Sequence, residues 1–394
     1  MRSRLLYRFL AILPILAVLL VPPCATASHY SWVEDTPSGF LMPDSQRDPV
    51  TFDSEGRLFL LIGDGSSNNY FDVRDPDGTW SGQTPSTITP YFVLNELVTH
   101  PISGHPVALG TEPGTDDGDP DTPLPSRLVG YEYTGSAWVR TLYVDNTNGT
   151  VSAFDFDESG NLHMLYMDLA TDRLYYTRRS VMNTSSKHLV TSLAGSNYTQ
   201  LEIQASTAGG GAVFASAYAA PGLVLATNSA DNGENWGLLR VVDYGFTATS
   251  YGIQQFASLM DDAQRLHLFY AIDDSGFIRI RHRSLTLDGT LGDPTDLEFG
   301  AYGWHVELHN GQPHYATRQW VGHDSGYYLS VSHYSEGAWH SQRPGLLVYY
   351  SRCDGMASYG GYLFVLGQAV NTANHLWIGI DEAHLPGVFT DGFE

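Results

Sequence analysis

Lysine is almost missing from this chain. Among 394 residues only Lys187 carries an ammonium side chain, and the other cations are arginines. Lys and Arg together number 20 against 43 Asp and Glu, a formal charge of −23. So acidic a surface excludes nucleic acid and anionic membrane surfaces as natural partners, because their phosphates call for basic patches. Cysteine is nearly missing too, with only Cys24 and Cys353. Long amphipathic helical runs are lacking. The longest apolar run, Phe9 to Val21, falls short of the roughly 20 residues that a membrane helix needs.

That run belongs to the start of the chain. Arg2, Arg4 and Arg8 form a basic region before it, Pro14 breaks it, and Ala25-Thr26-Ala27 is a small-x-small cleavage pattern. Residues 1–27 therefore read as a signal peptide cut before Ser28. Pro22-Pro23 before Cys24 makes a poor lipobox, which favours ordinary cleavage. The leader takes three Arg and no acid with it, so the mature charge would be −26. Cys353 would then stand alone, with no internal disulfide, and the fold must rest on its hydrophobic core.

What is abundant is glycine, tyrosine, aspartate and short apolar alternation. The stretch from Phe154 to Arg179 shows the pattern: the turn Asp157-Glu158-Ser159-Gly160, then alternation through Leu162, Met164 and Tyr166, a polar turn, and a second run. Period-two patterning broken by Gly and Asp turns reads as an antiparallel meander. The same sentence recurs with turn markers at Gly56, Gly104, Gly160, Gly210, Gln264, Gly311 and Gly361, separated by 48, 56, 50, 54, 47 and 50 residues. Several units close on a Trp: Trp80, Trp138, Trp236 and Trp339. Units of this length hold about four strands each. The expectation is an all-β protein, a single β-propeller over residues 28–388 with seven four-stranded blades, or six if unit two or unit four is an insertion. Residues 29 to 40 are expected to close the ring by pairing with the last blade. A short tail, residues 389–394, follows.

One segment is more specific. Ser229-Ala230-Asp231-Asn232-Gly233-Glu234-Asn235-Trp236 matches S-x-D-x-G-x-x-W in full. Here the chain resembles the sialidase-like, BNR-repeat (Asp-box) propellers. In such a hairpin Ser229 and Asp231 bond the turn backbone, Gly233 takes a positive φ and Trp236 packs below. The resemblance extends to Arg47, which precedes Pro49 where such enzymes place a carboxylate-holding arginine, and to Tyr350, at the head of a late inner strand where they place a nucleophile. Arg281, Arg318 and Arg352 are candidates for the remaining arginines. Asp48 beside Arg47 departs from the family pattern. A second resemblance, to propeller lyases acting on uronate polysaccharides, rests on the sentence around Asp157 and His163; the alternation sets His163 as a packed residue.

Strand heads line the mouth of a propeller channel, where ligands bind. By position these are Arg47, Asn95, Asn148, Tyr198, Tyr251, Tyr302 and Tyr350. Trp304, Arg318 and Trp320 of unit six add a platform on which sugars stack. His305 and His309 share a strand face, a weak metal signal. Asp116, Asp117, Asp119 and Asp121 cluster in a long loop with spacing that can wrap a structural Ca²⁺; no other cofactor is implied. The expected function is binding of a glycan or an extracellular surface ligand at the channel mouth. The alternatives are a sialidase-like glycosidase using Arg47 and Tyr350, and a uronate lyase. The expected context is a monomer, secreted or periplasmic, of Gram-negative type.

Overall fold

The computed structural model describes residues 30–35, 49–63, 69–89, 92–114, 125–168, 171, 173–180, 185–191, 198–219, 222–244, 256–274, 277–299, 301–320, 327–335, 337–344, 351–369 and 374–381. Nearly all of them are strand or tight turn. β1 (Tyr30–Asp35) stands ahead of the repeat. β2 (Val50–Phe52), β3 (Leu58–Gly63), β4 (Asn69–Arg74) and β5 (Thr84–Pro85) form a four-stranded antiparallel sheet in that order. Next come β6 (Val93–Thr99), β7 (Pro106–Pro113), β8 (Ser126–Tyr133), β9 (Trp138–Phe156), β10 (Leu162–Asp168), β11 (Arg173–Arg179) and β12 (Ser185–Thr191). These seven pair consecutively in a single sheet. β13 (Tyr198–Ser206), β14 (Ala212–Ala219), β15 (Leu223–Ser229) and β16 (Arg240–Tyr244) form the next sheet. β17 (Phe256–Met260), β18 (Leu266–Asp274), β19 (Phe277–Leu285) and β20 (Thr295–Phe299) follow in the same way. So do β21 (Ala301–His309), β22 (Gln312–Trp320), β23 (Tyr327–Ser335) and β24 (Ala338–Gln342). Last are β25 (Ser351–Tyr359), β26 (Tyr362–Ala369) and β27 (Asn374–Asp381), with β1 completing their sheet along β27.

Innermost strands follow one another around an axis: β2 beside β6, β9 beside β13, then β17, β21 and β25, which returns to β2. The ring is a β-propeller. The expectation of seven separate blades is corrected: the described strands form six hydrogen-bonded sheets, the count that the six-bladed alternative gave. Units two and three are joined because β9, 19 residues long, pairs with β8 through its first part and with β10 through its last. Thr147 pairs with Ser126 on one side and Asp168 on the other, and register shifts on both sides of it bend the sheet. The two halves so formed face each other across Val107, Leu109, Leu128, Phe154, Leu162 and Met164.

Burial explains the strand pattern. The second strand of a unit is covered on both faces, so β14 reads Ala-Val-Phe-Ala-Ser-Ala-Tyr-Ala with every residue buried. The core lies between neighbouring sheets. Phe214, Val224 and Ala226 meet Phe256, Leu266 and Leu268, each fully buried and each contributing roughly 1.5–3 kcal/mol where the side chain is large. Closure is as expected: β1 runs antiparallel to β27, with Tyr30 opposite Asp381 and Asp35 opposite Leu376.

Candidate functional site in the central cavity

The turns after β9, β13 and β17 contribute to the cavity wall, and local hydrogen bonds fix such turns. Asp157 Oδ1 accepts from the N–H groups of Ser159 and Asn161, at 3.0 and 2.9 Å, and Gly160 closes the turn at φ 76°. Asp53 and Asp261 do the same in their own turns. These aspartates are architecture. Their second oxygens reach into the sheets: Asp157 Oδ2 lies 3.2 Å from His163 Nε2, and Asp261 Oδ2 lies 3.0 Å from His267 Nε2. The ring of His163 continues to the Tyr176 hydroxyl at 2.8 Å, and that of His267 to His282 Nε2 at 2.9 Å. His163, His267 and His282 are buried, so these chains brace strands within their own sheets and do not face a ligand.

Between the inner strands lies a cavity of about 470 Å³. Its wall is made by β6, β9, β13, β17 and β21 and by the turns that follow β9, β13 and β17. Glu96, Asp155, Glu202 and Glu307 enter it from strands, and Glu158, Asp261 and Asp262 from turns. Among the described lining residues there is no Lys, Arg or His. Amide and hydroxyl groups complete the wall and tie adjacent strands. Asn95 Nδ2 donates to Ser152 O and Oγ at 3.0 Å, and Gln204 Nε2 donates to Ser258 O at 3.2 Å. Ser358 Oγ donates to Glu307 Oε1 at 2.8 Å.

The carboxyls are not equivalent. Burial pushes the Asp155 carboxyl up to about 8, against the pull of the Ala205 N–H that donates to its Oδ2 at 2.6 Å; the charges of Glu158 and Asp157 push the same way as burial. Burial also raises Glu158, but hydrogen bonds from Thr207 and Ser206 outweigh it and hold the group below the ordinary range. For Asp261 burial is likewise outweighed by its bond to His267, and the carboxyl lies low. At neutral pH a protonated carboxylic acid therefore stands near ionised ones.

The expected site residues fare differently. Arg47, Tyr251 and Tyr350 lie outside the described residues, as do Asp116, Asp117, Asp119 and Asp121. Tyr302, Trp304, Arg318 and Trp320 sit in β21 and β22, with Tyr302 directly opposite Arg318; their side chains lie outside the description. Asn148 belongs to β9, opposite Met167. Asn95 does line the cavity. Tyr198 does not face a mouth: it is buried in the core with Leu201 and Ile203. Arg281 is corrected as well. It sits on β19, a third strand, and its guanidinium is bound by Asp296 at 2.5 Å and Asp243 at 3.2 Å, away from the axis. Among the described residues no group of three or more His, Cys, Asp or Glu is placed to hold a metal ion.

Ser229 to Trp236 forms the turn between β15 and β16. Ser229 Oγ accepts from the Gly233 N–H at 2.9 Å, Asp231 Oδ1 accepts from the Asn235 N–H at 2.9 Å, and Gly233 has φ 81°. Trp236 packs edge-on against Tyr176 of the preceding sheet. None of residues 229–236 lines the cavity.

No family model matches the sequence, and no curated protein matches it. Solved structures do. BBS1N, solved in complex with ARL6DN, aligns with a TM-score of 0.54 at 9% identity, over 90% of this chain and 98% of that one. A PL25 ulvan lyase, solved bound to -[GlcA(1-4)Rha3S]-, aligns at 0.52 and 10% identity over 88% and 94%. The NanB sialidase of Streptococcus pneumoniae aligns at 0.45 and 12% identity over 89% and 71%. At such identities the likeness shows the fold alone. The site must be read from its own residues.

What sequence reasoning missed is the cavity's acid lining. It looked to the strand heads, whereas the described wall runs toward the strand ends and their turns. A signal existed: each inner strand from unit two to unit six carries an acid along it or directly after it, at Glu96, Asp155, Glu202, Asp261 and Glu307.

Proposed function

We propose that the chain is an exported, sialidase-like propeller that binds carbohydrate in its central cavity. The observation that carries the reading is the cavity itself: about 470 Å³, within the range of small-ligand sites, and walled by hydroxyl, amide and carboxyl groups on five inner strands. Such groups hydrogen-bond sugar hydroxyls from a rigid frame. Glycan-array binding by the full chain tests it. Loss of binding in Glu202→Gln and Asp262→Asn supports the cavity; unaltered binding in both removes it. Tyr251→Ala and Tyr302→Ala test the strand heads in the same assay. The Asp116 to Asp121 loop as a Ca²⁺ site is tested by whether EDTA lowers the melting temperature.

One observation favours a second reading, glycoside hydrolysis. Asp155 and Glu158 are held in opposite protonation states, which is what a proton donor with an ionised partner requires. A screen of fluorogenic glycosides would show turnover that falls in Asp155→Asn and whose alkaline limb moves with that group. Turnover indifferent to Asp155→Asn rejects it.

A further inference from the structure

We propose that Gln264 is the latch of a gate at the rim of the cavity: the turns after β13 and β17 part when its bond is released, and the way in widens. The inference concerns entry to the space that the glycan reading invokes.

The first ground is backbone strain at one position. Three turns share a build. The Gly56 N–H donates to Asp53 O at 3.1 Å, Gly160 N–H to Asp157 O at 2.8 Å, and Gln264 N–H to Asp261 O at 2.9 Å. The closing residue takes a positive φ in each, 78°, 76° and 56°. Glycine adopts that conformation freely, whereas a residue with a Cβ does so at a cost. Gln264 therefore keeps a strain that the glycine of the other two turns avoids, and such strain points to a role for the side chain. Its Nε2 donates to Ala208 O in the turn after β13, across the boundary between two sheets.

The second ground is the turn that receives this bond. Thr207 precedes Ala212 of β14 by the same interval as Asp157 precedes Leu162 of β10, yet its side chain caps nothing. Gly209, Gly210 and Gly211 follow it. From within, the turn is held by the Ala208 N–H on Ser206 Oγ at 3.1 Å and the Gly211 N–H on Ala208 O at 3.2 Å. The rest of its hold comes from neighbours. Glu158 accepts from Ser206 Oγ and from the Thr207 N–H and Oγ1 at one end. Asn232, itself at φ 59°, donates from Nδ2 to Gly210 O at 3.3 Å at the other. Gln264 holds the middle. Ser206, Ala208, Asp261, Asp262 and Gln264 all line the cavity, so the latch bond spans its rim. Ala208 is exposed, and an exposed hydrogen bond exchanges readily for one to water. Strain on one side of the bond and a glycine-rich turn on the other leave the closed and open rims close in free energy.

The test needs no glycan, so it can fail while the glycan reading stands and pass if that reading falls. Gln204 is half-buried on the cavity wall. Gln204→Cys in the full chain carrying Cys24→Ser places a thiol there. Its reaction is followed with two uncharged reagents, N-ethylmaleimide and the bulkier pyrene maleimide. Cys353 is buried and reports unfolding. Gln264→Asn tolerates the left-handed conformation and is one methylene shorter, so the latch bond is lost. It is expected to raise the rate of the bulky reagent at residue 204 about tenfold and that of the small one about twofold at most, with Cys353 unchanged. Acceleration of both reagents alike, or of neither, overturns the inference. Hydrogen exchange of the unaltered chain gives a second reading and decides the matter if a variant does not fold. Amides of Ala208 to Gly211 should exchange about tenfold faster or more than those of Ser159 to Asn161. Equal protection of the two turns overturns the gate.

Discussion

Gly233 shows how little room single positions leave. A Cβ there would stand 2.1 Å from the Tyr176 ring, and φ is 81°. Strain and collision act together, so Gly233→Ala is expected to cost at least about 2 kcal/mol, read as a lower urea midpoint. Asp155 makes a contrasting case, because its cost depends on pH. Unfolded, an aspartate titrates near 3.9; folded, this one holds its proton to about 8. Between those values the folded chain binds a proton that the unfolded chain lacks, so this group's contribution to stability falls as pH rises through that window. Asp155→Asn removes the term and can still accept from the Ala205 N–H. The variant should match the parent near pH 4 and melt higher than it at pH 8 and above. An unchanged difference across that range would refute the assignment. The neighbouring Asp157 was legible as a turn residue, since its Gly160 partner is local. Asp155 was not, because its environment comes from β13, some fifty positions away in the chain, and from a cavity that exists only once the ring has closed.

Strands and turns carry a second set of consequences. In the unit containing β17 to β20 the Asp261–His267–His282 chain crosses two strands. In the next sheet the register sets His314 opposite His333, and His333 opposite His340. Burial drives His282 and His314 down to about 3. Their unfolded forms take up a proton below about 6.5. The neutral, folded histidines therefore contribute stability that is complete above that pH and is lost as pH falls toward 3. Asp157 and Asp261, both held low, lose their share further down. The urea midpoint should drop steeply between about pH 6.5 and 4, and His282→Phe should flatten part of that slope. A slope unaltered by His282→Phe would place the loss elsewhere. The closing tryptophans Trp80, Trp138, Trp236 and Trp339 have buried indole N–H groups without a hydrogen-bond partner. Their recurrence in the sequence marked a packing position, and edge contacts such as Trp339 on Phe269 and Trp138 on Phe71 show the same thing in space.

Across the molecule, closure depends on one short strand. β1 supplies the outer edge of the last sheet through six residue pairs with β27. Deleting residues 28–40 should lower the melting temperature sharply and expose a sheet edge; an unchanged melting temperature would show that the ring closes without it. The repeat period and the terminal closure were legible because both are written in alternation and spacing. The sheet count was not. Asn148-Gly149 reads as a turn, yet β9 runs on through it with a register shift between Asn148 and Ser152, because neighbours on both sides bind Thr147.

That unbroken strand has a dynamic corollary. Elsewhere among the described residues successive sheets share no strand, and each sheet can in principle breathe by itself. β6 to β12 have no such seam. Opening either half strips partners from a strand that the other half also uses, so the two should behave as one cooperative unit in native-state hydrogen exchange, with amides in β7 and β10 sharing an opening free energy. The wall that brings Glu96 and Asp155 to the cavity would then be its stiffest arc, and ligand-induced yielding should be sought on the opposite side of the ring.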